Sequence, residues 1–391
     1  MKRILTLSLA CVTLLTFKTQ AQEQNRAITT AVPFLLIAAD ARAAGLGDQG
    51  VATSADAFSQ QWNPAKYAFI KNKQGVGVNY TPYLSSLVND IFLGNVNYYN
   101  RINERSAVAA SFRYFSLGEI EFRKDANDLG LSQQPNELTF DLTYALKLSE
   151  RFSMSVTGRY LRSDLKLQGL GDDASAGNGF GVDIAGFYRS DEIAFDSFNG
   201  RWRAGATISN IGPKIKYDDA GQENFIPTNF RLGGSFDFIF NEDNRITPSL
   251  EISKLLVPTP LDNSIDRNGD GEVDAADTAI ANTEYNNKSA FGSIFSSWGD
   301  APDGFSEELK EMTWALGAEY VYQDVFAFRA GYFNESEEKG ARKFLSLGTG
   351  FKYNIVNLDI SYLFSTSAVK SPLEGTLRFG LSFNFGDEYY D

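Results

Sequence analysis

The chain has 391 residues, of which 43% are hydrophobic and 14% aromatic, with 34 Gly, 31 Phe, one Cys and no His. Without His there can be no Ser-His-Asp or Cys-His chemistry and no His-ligated metal, and a net charge of −13 is opposite to what a phosphate-binding face needs. No run of eighteen apolar residues crosses a membrane as a helix, so an aromatic- and glycine-rich chain of this kind reads as a transmembrane β-barrel.

The chain opens with Lys2 and Arg3, followed by an apolar stretch from Ile4 to Phe17 and the small-residue site Thr19-Gln20-Ala21. This pattern predicts a secretory signal peptide over 1–21. Its Ser8-Leu9-Ala10-Cys11 faintly resembles a lipobox, but that reading leaves a short apolar region. The signal-peptide reading removes the chain's single cysteine, which suits an oxidising envelope compartment.

Residues 22–73 do not alternate and are rich in small residues and turns. Gly45-Leu-Gly47-Asp-Gln-Gly50 matches the dinucleotide fingerprint. That fingerprint requires a βαβ unit and an acidic residue about twenty positions on, and position 70 is Ile. The glycines read instead as sites of tight turns and close backbone packing inside a barrel mouth.

From residue 74 the chain alternates with period two, as in Leu377, Phe379, Leu381, Phe383 and Phe385 against Arg378, Gly380, Ser382 and Asn384. Such runs predict strands at 74–81, 91–100, 105–116, 137–147, 151–163, 178–190, 201–210, 228–240, 245–254, 312–322, 325–334, 342–353, 355–365 and 374–385. Connections after even-numbered strands are mostly tight, and those after odd-numbered strands are mostly long, the longest being 255–311. Short periplasmic turns and long outer loops are the bacterial outer-membrane arrangement. The expected fold is therefore an all-β transmembrane antiparallel barrel of about fourteen strands over 74–391, with both termini periplasmic and residues 22–73 as a plug. The inward set carries Arg113, Arg159, Arg203, Arg231, Arg329 and Arg378 against Asp141, Asp183, Asp237, Glu251, Glu319 and Asp359. Near balance implies either mutual pairing or a generic polar lumen rather than a sign-selective pore.

Within the longest loop, Asp266, Asn268, Asp270, Glu272, Asp274 and Asp277 follow calcium-loop spacing, with Gly271 at the turn. Asp replaces the usual Glu at the twelfth position, and the preceding Pro258-Thr-Pro260 does not read as an entering helix. The two readings are a structural Ca2+ brace and an acidic solvated turn. The same loop carries Phe291, Phe295, Trp298 and Phe305, as either an interaction surface or a self-packed cap.

Arg42-Ala-Ala-Gly45-Leu-Gly47-Asp, with Trp62-Asn63-Pro64-Ala65-Lys-Tyr-Ala-Phe69, resembles the N-terminal hatch of FadL-type barrels. The fuller wording is similar to the PorV (LptO) family, the FadL-like component of the type IX secretion system. That resemblance implies a non-enzymatic outer-membrane protein that binds secreted cargo through its C-terminal sorting domain. It further implies docking on a SprA-type translocon and delivery of cargo to a sortase-containing, PorU-like attachment complex. The alternative is a FadL-like transporter of long-chain fatty acids or other hydrophobic compounds. Neither reading calls for a cofactor beyond the Ca2+ of the outer loop.

Overall fold

A computed structural model describes residues 26–388 except 86, 124–129, 166–174, 218–221 and 368. The expected signal peptide lies outside the described residues. Alternating sequence builds strands β1 (Asn72–Pro82), β2 (Ile91–Arg101), β3 (Ser106–Leu117), β4 (Ile120–Phe122), β5 (Leu131–Gln133), β6 (Asn136–Ser149), β7 (Phe152–Asp164) and β8 (Gly177–Arg189). They continue as β9 (Ile193–Ala194), β10 (Asn199–Ile211), β11 (Asn229–Ile239), β12 (Asn244–Leu255), β13 (Thr313–Tyr322), β14 (Phe326–Asn334), β15 (Lys343–Tyr353), β16 (Val356–Ser365) and β17 (Leu377–Glu388). β4 and β5 pair with each other in an outer loop and β9 only extends the edge of β10. The other fourteen close into one antiparallel barrel, sealed where β1 pairs with β17.

Each of the fourteen lies within three residues of its sequence reading. Phe140, Leu142, Tyr144, Phe379 and Leu381 face outward and are exposed, as lipid-facing positions require. No helix of the described residues is long and apolar enough to cross a membrane.

The core lies inside the barrel. Residues 26–70 run down the lumen and carry short helices α1 (Ala41–Ala44) and α2 (Ser59–Trp62) plus 3-10 turns at Pro33–Leu36 and Pro64–Phe69. Arg26 lies at the long-loop end, bonded to Glu307, and only the C-terminal strand end and the start of β1 sit together at the short-turn end. The chain must cross the lumen before β1 begins, a path that local alternation does not encode.

The loop 255–311 contains three helices that its composition did not announce, α3 (Ala275–Asn287), α4 (Ala290–Ser296) and α5 (Phe305–Lys310). Asp274 caps α3, and Asp277 completes a capping box by accepting the Asp274 N–H.

Candidate functional site: the lumen plug and the outer rim

The segment inside the barrel is bonded to strands around its whole circumference. The Gly50 and Val51 amides donate to Glu251 at 2.8 and 2.9 Å, and Gly47 N donates to Ser346 Oγ at 2.9 Å. Gln60 Nε2 donates to Thr143 at 2.7 Å, Ser153 Oγ donates to the Ala65 carbonyl at 2.7 Å, and Ser235 Oγ to that of Ala52 at 2.8 Å.

The sequence-singled residues organise this plug. Arg42 places two donors on Glu319, at 3.1 and 2.9 Å, and another on Asp56 at 2.6 Å. Trp62 Nε1 donates to Asp40 at 2.6 Å. Asn63 caps the following turn by accepting from Ala65 N, and its amide donates to the Val51 and Gly186 carbonyls at 3.0 and 2.9 Å. Pro64 starts that turn, where a missing N–H costs nothing. Gly47 adopts φ 84°, and its backbone lies so close to Gly331 that a Cβ on Gly331 would stand 2.1 Å from Gly47 N. Gly45 packs in the same way on Gly348.

Asp40, Asp56 and Lys66 were not singled out by sequence, because their spacing matches no motif. All three sit beside Arg42 and Trp62. Burial, reinforced by the charge of Asp56, pushes the Asp40 carboxyl up to about 6. Burial holds the Lys66 ammonium down to about 8, although it donates to Gly50 O and Thr53 Oγ1.

The lumen charges pair. Arg159 bridges Asp141 and Asp183, Arg203 binds Asp237, and Arg329 bridges Glu319 and Asp359. Arg231 lies 3.6 Å from Glu251 and over the Trp62 ring. The plug takes the remaining two, Asp48 for Arg378 and the Phe34 and Ile37 carbonyls for Arg113. Above the plug lies a cavity of about 530 Å3, lined by Ile28, Phe34, Phe115, Trp314 and Phe333 together with Arg231.

At the rim, Phe291, Phe295 and Phe305 are 57, 81 and 75% exposed, and Trp298, also exposed, packs edge-on against Phe230 at 5.6 Å. In the acidic loop, Asp266 accepts from the Gly269 and Gly271 amides, and Asp277 from Arg267, Asn268 and Asp274. Those three donors hold the Asp277 carboxyl below the usual range. Among the described residues no three His, Cys, Asp or Glu side chains converge on one metal position. The Asp270 carboxylate accepts from the Asn268 side-chain amide and the Glu272 backbone N–H.

A closed fourteen-stranded barrel with a bonded N-terminal plug is the FadL-like class of outer-membrane protein. Solved structures of that class match over nearly their whole length. A TodX monoaromatic hydrocarbon channel, deltaS2S3 mutant, aligns at 10% identity and TM-score 0.51, covering 88% of this chain and 99% of its own. Its deltaS2 mutant gives 10% identity and TM-score 0.50, with 90% and 100% covered. A Pseudomonas aeruginosa FadL homologue gives 11% and 0.43, with 92% and 99% covered. No curated protein sequence matches the chain significantly. The family model of the type IX secretion system protein PorV matches residues 20–262. The chain belongs to the PorV family, and is an outer-membrane component of type IX secretion. That family is one of secretion components, not of enzymes.

Proposed function

We propose that this barrel binds secreted cargo through its C-terminal sorting domain, docks on the SprA-type translocon and hands cargo to the sortase-containing attachment complex. The plug supports a binding role over a conducting one. It is tied to the wall on every side, and the lumen arginines spend their charge on carboxylates and plug carbonyls rather than lining an open path. The observation that carries the reading is the family match, joined to a rim where Phe291, Phe295 and Phe305 stand exposed on helices held against the barrel. Large aromatics presented on a rigid scaffold are the usual anchors of a protein interface.

Purification of the tagged protein from mild-detergent membranes, followed by mass spectrometry, tests it. A very large barrel, a surface protease-like partner and cargo with related C-terminal domains should be recovered together. The second reading, transport of a hydrophobic compound, draws on the partly apolar cavity above the plug. Recovery of the barrel alone with extractable lipid would favour it.

A further inference from the structure

The first described residues cross the outer mouth of the barrel and are fastened at both sides. On one side Arg26 donates to both carboxylate oxygens of Glu307, at 2.9 and 2.8 Å, and also binds Asp303. Lys339 donates to Glu307 at 2.6 Å, to Glu311 at 3.0 Å and to the Arg26 carbonyl at 3.3 Å. Lys254 on the wall then holds Glu308 and Glu311 at 2.9 and 2.5 Å. Apart from Asp303, these side chains are buried. On the other side Ala31 N donates to the Phe225 carbonyl at 2.8 Å, and Ala31, Val32, Phe34 and Leu35 pack with Ile215 and Ile226. Between the two fastenings, Ala27 to Thr30 form part of the cavity lining.

Val32 sits between these fastenings and the turn at Pro33–Leu36. It is fully buried and takes φ 46°, ψ 48°, a left-handed conformation that a β-branched side chain strongly disfavours. Such strain persists only where surrounding contacts enforce it. This strained residue marks the point between the clamped arm and the packed plug about which the arm would turn on release.

We infer that residues 26–32 are a strap closed over the internal cavity by the Arg26–Glu307–Lys339 clamp, and that releasing the clamp opens the cavity to the outside. The clamp joins three parts of the chain: the arm, α5 of the longest loop and the β14–β15 connection. A partner that displaces α5 therefore also unfastens the strap.

The test uses the full-length protein on whole cells. Cys11 is the chain's one cysteine, so Ser253→Cys, in the cavity lining, adds a single lumenal reporter for a membrane-impermeant sulfonated maleimide, with the unsubstituted chain as blank. Arg26→Gln and Glu307→Gln should each raise the labelling rate about tenfold, the scale of a lost charge-assisted hydrogen bond. The double variant should fall short of the summed effects of the two singles, since both lose the Arg26–Glu307 contact and only the bonds to Asp303 and Lys339 are lost separately. Labelling at the parent rate in both, or additive increases, overturns the strap. Heat-modifiable migration on gels reports that each barrel is folded. If one glutamine variant loses it, Asp303→Asn removes only the exposed arm of the clamp. An intermediate rise with it supports the strap, and the parent rate overturns it.

Discussion

Gly47 shows how tightly single residues set the plug. Its φ of 84° suits glycine alone, and a Cβ there would stand 3.0 Å from the Tyr332 backbone N and O. Gly47→Val must therefore both strain the backbone, by about 1–3 kcal/mol, and push the plug off β14. The expected outcome is greater sensitivity of cells to small antibiotics; unchanged permeability would mean the plug does not seal the lumen. Pro64→Ala only frees a preset φ, worth roughly 0.4–1 kcal/mol, so its effect should be much smaller. Asp40 sets a pH dependence. Its carboxyl is raised by burial to about 6 from an ordinary value of 3.8. The packed plug thus holds a proton that the detached plug releases, and plug stability falls as pH rises from about 4 to about 6. The span of roughly two units corresponds to about 3 kcal/mol at most. The protection factors of the α1 amides, which correct exchange for its intrinsic base-catalysed rise with pH, should fall across that window in the parent and stay level in Asp40→Asn. A level profile in the parent would remove this role. Of these residues Gly47 and Pro64 were legible in the sequence because a local motif carries them. Asp40 was not, since its partner Trp62 comes 22 residues later through a fold no local pattern records.

Among the elements, the strands were legible and the outer helices were not. A half-buried strand writes its two faces into alternate residues, whereas α3 owes its start to a capping box and its place to contacts such as Lys214 on the Asn286 carbonyl. The acidic loop lies between these cases. Gly269 and Gly271 take φ 77° and 89°, and the ninth and twelfth positions fall at the cap and third residue of α3, as in a calcium loop. We propose that Ca2+ completes this brace by drawing in Asp270 and Glu272. Added Ca2+ should slow proteolysis within 255–311 and a chelator should restore it. Equal cleavage in both would show that the backbone bonds to Asp266 and Asp277 suffice. Separately, replacing Phe291, Phe295 and Phe305 with Ala should weaken partner capture while leaving the folded barrel intact, because none of the three is buried. Loss of the folded barrel would assign them to packing instead.

For the whole molecule, sequence spacing places the loops by side but not the path of the arm through the lumen. The ion cluster around Arg26 joins residues up to 313 apart in the chain, so no window of sequence displays it. This clamp also makes a statement about pH. Glu307 faces Arg26 and Lys339, with Asp303 and Glu311 next to them and Lys254 and Glu308 beyond. Although burial opposes ionisation, the bonds from Arg26 and Lys339 and the Asp303 amide hold its carboxyl down to about 2. A group lowered on folding gives its stabilisation in full above its ordinary value near 4.5, and loses it only as pH falls through the folded value. The strap should therefore stay closed throughout the mildly acidic range and open through displacement of α5, not through protonation of Glu307. Maleimide labelling varies with pH through the thiol itself, so the informative quantity is the ratio of Glu307→Gln to parent, both carrying Ser253→Cys. That ratio should hold constant from pH 8 to pH 5. A ratio that falls toward one at pH 5 would mean the parent clamp has already opened, and that acid rather than a partner releases it.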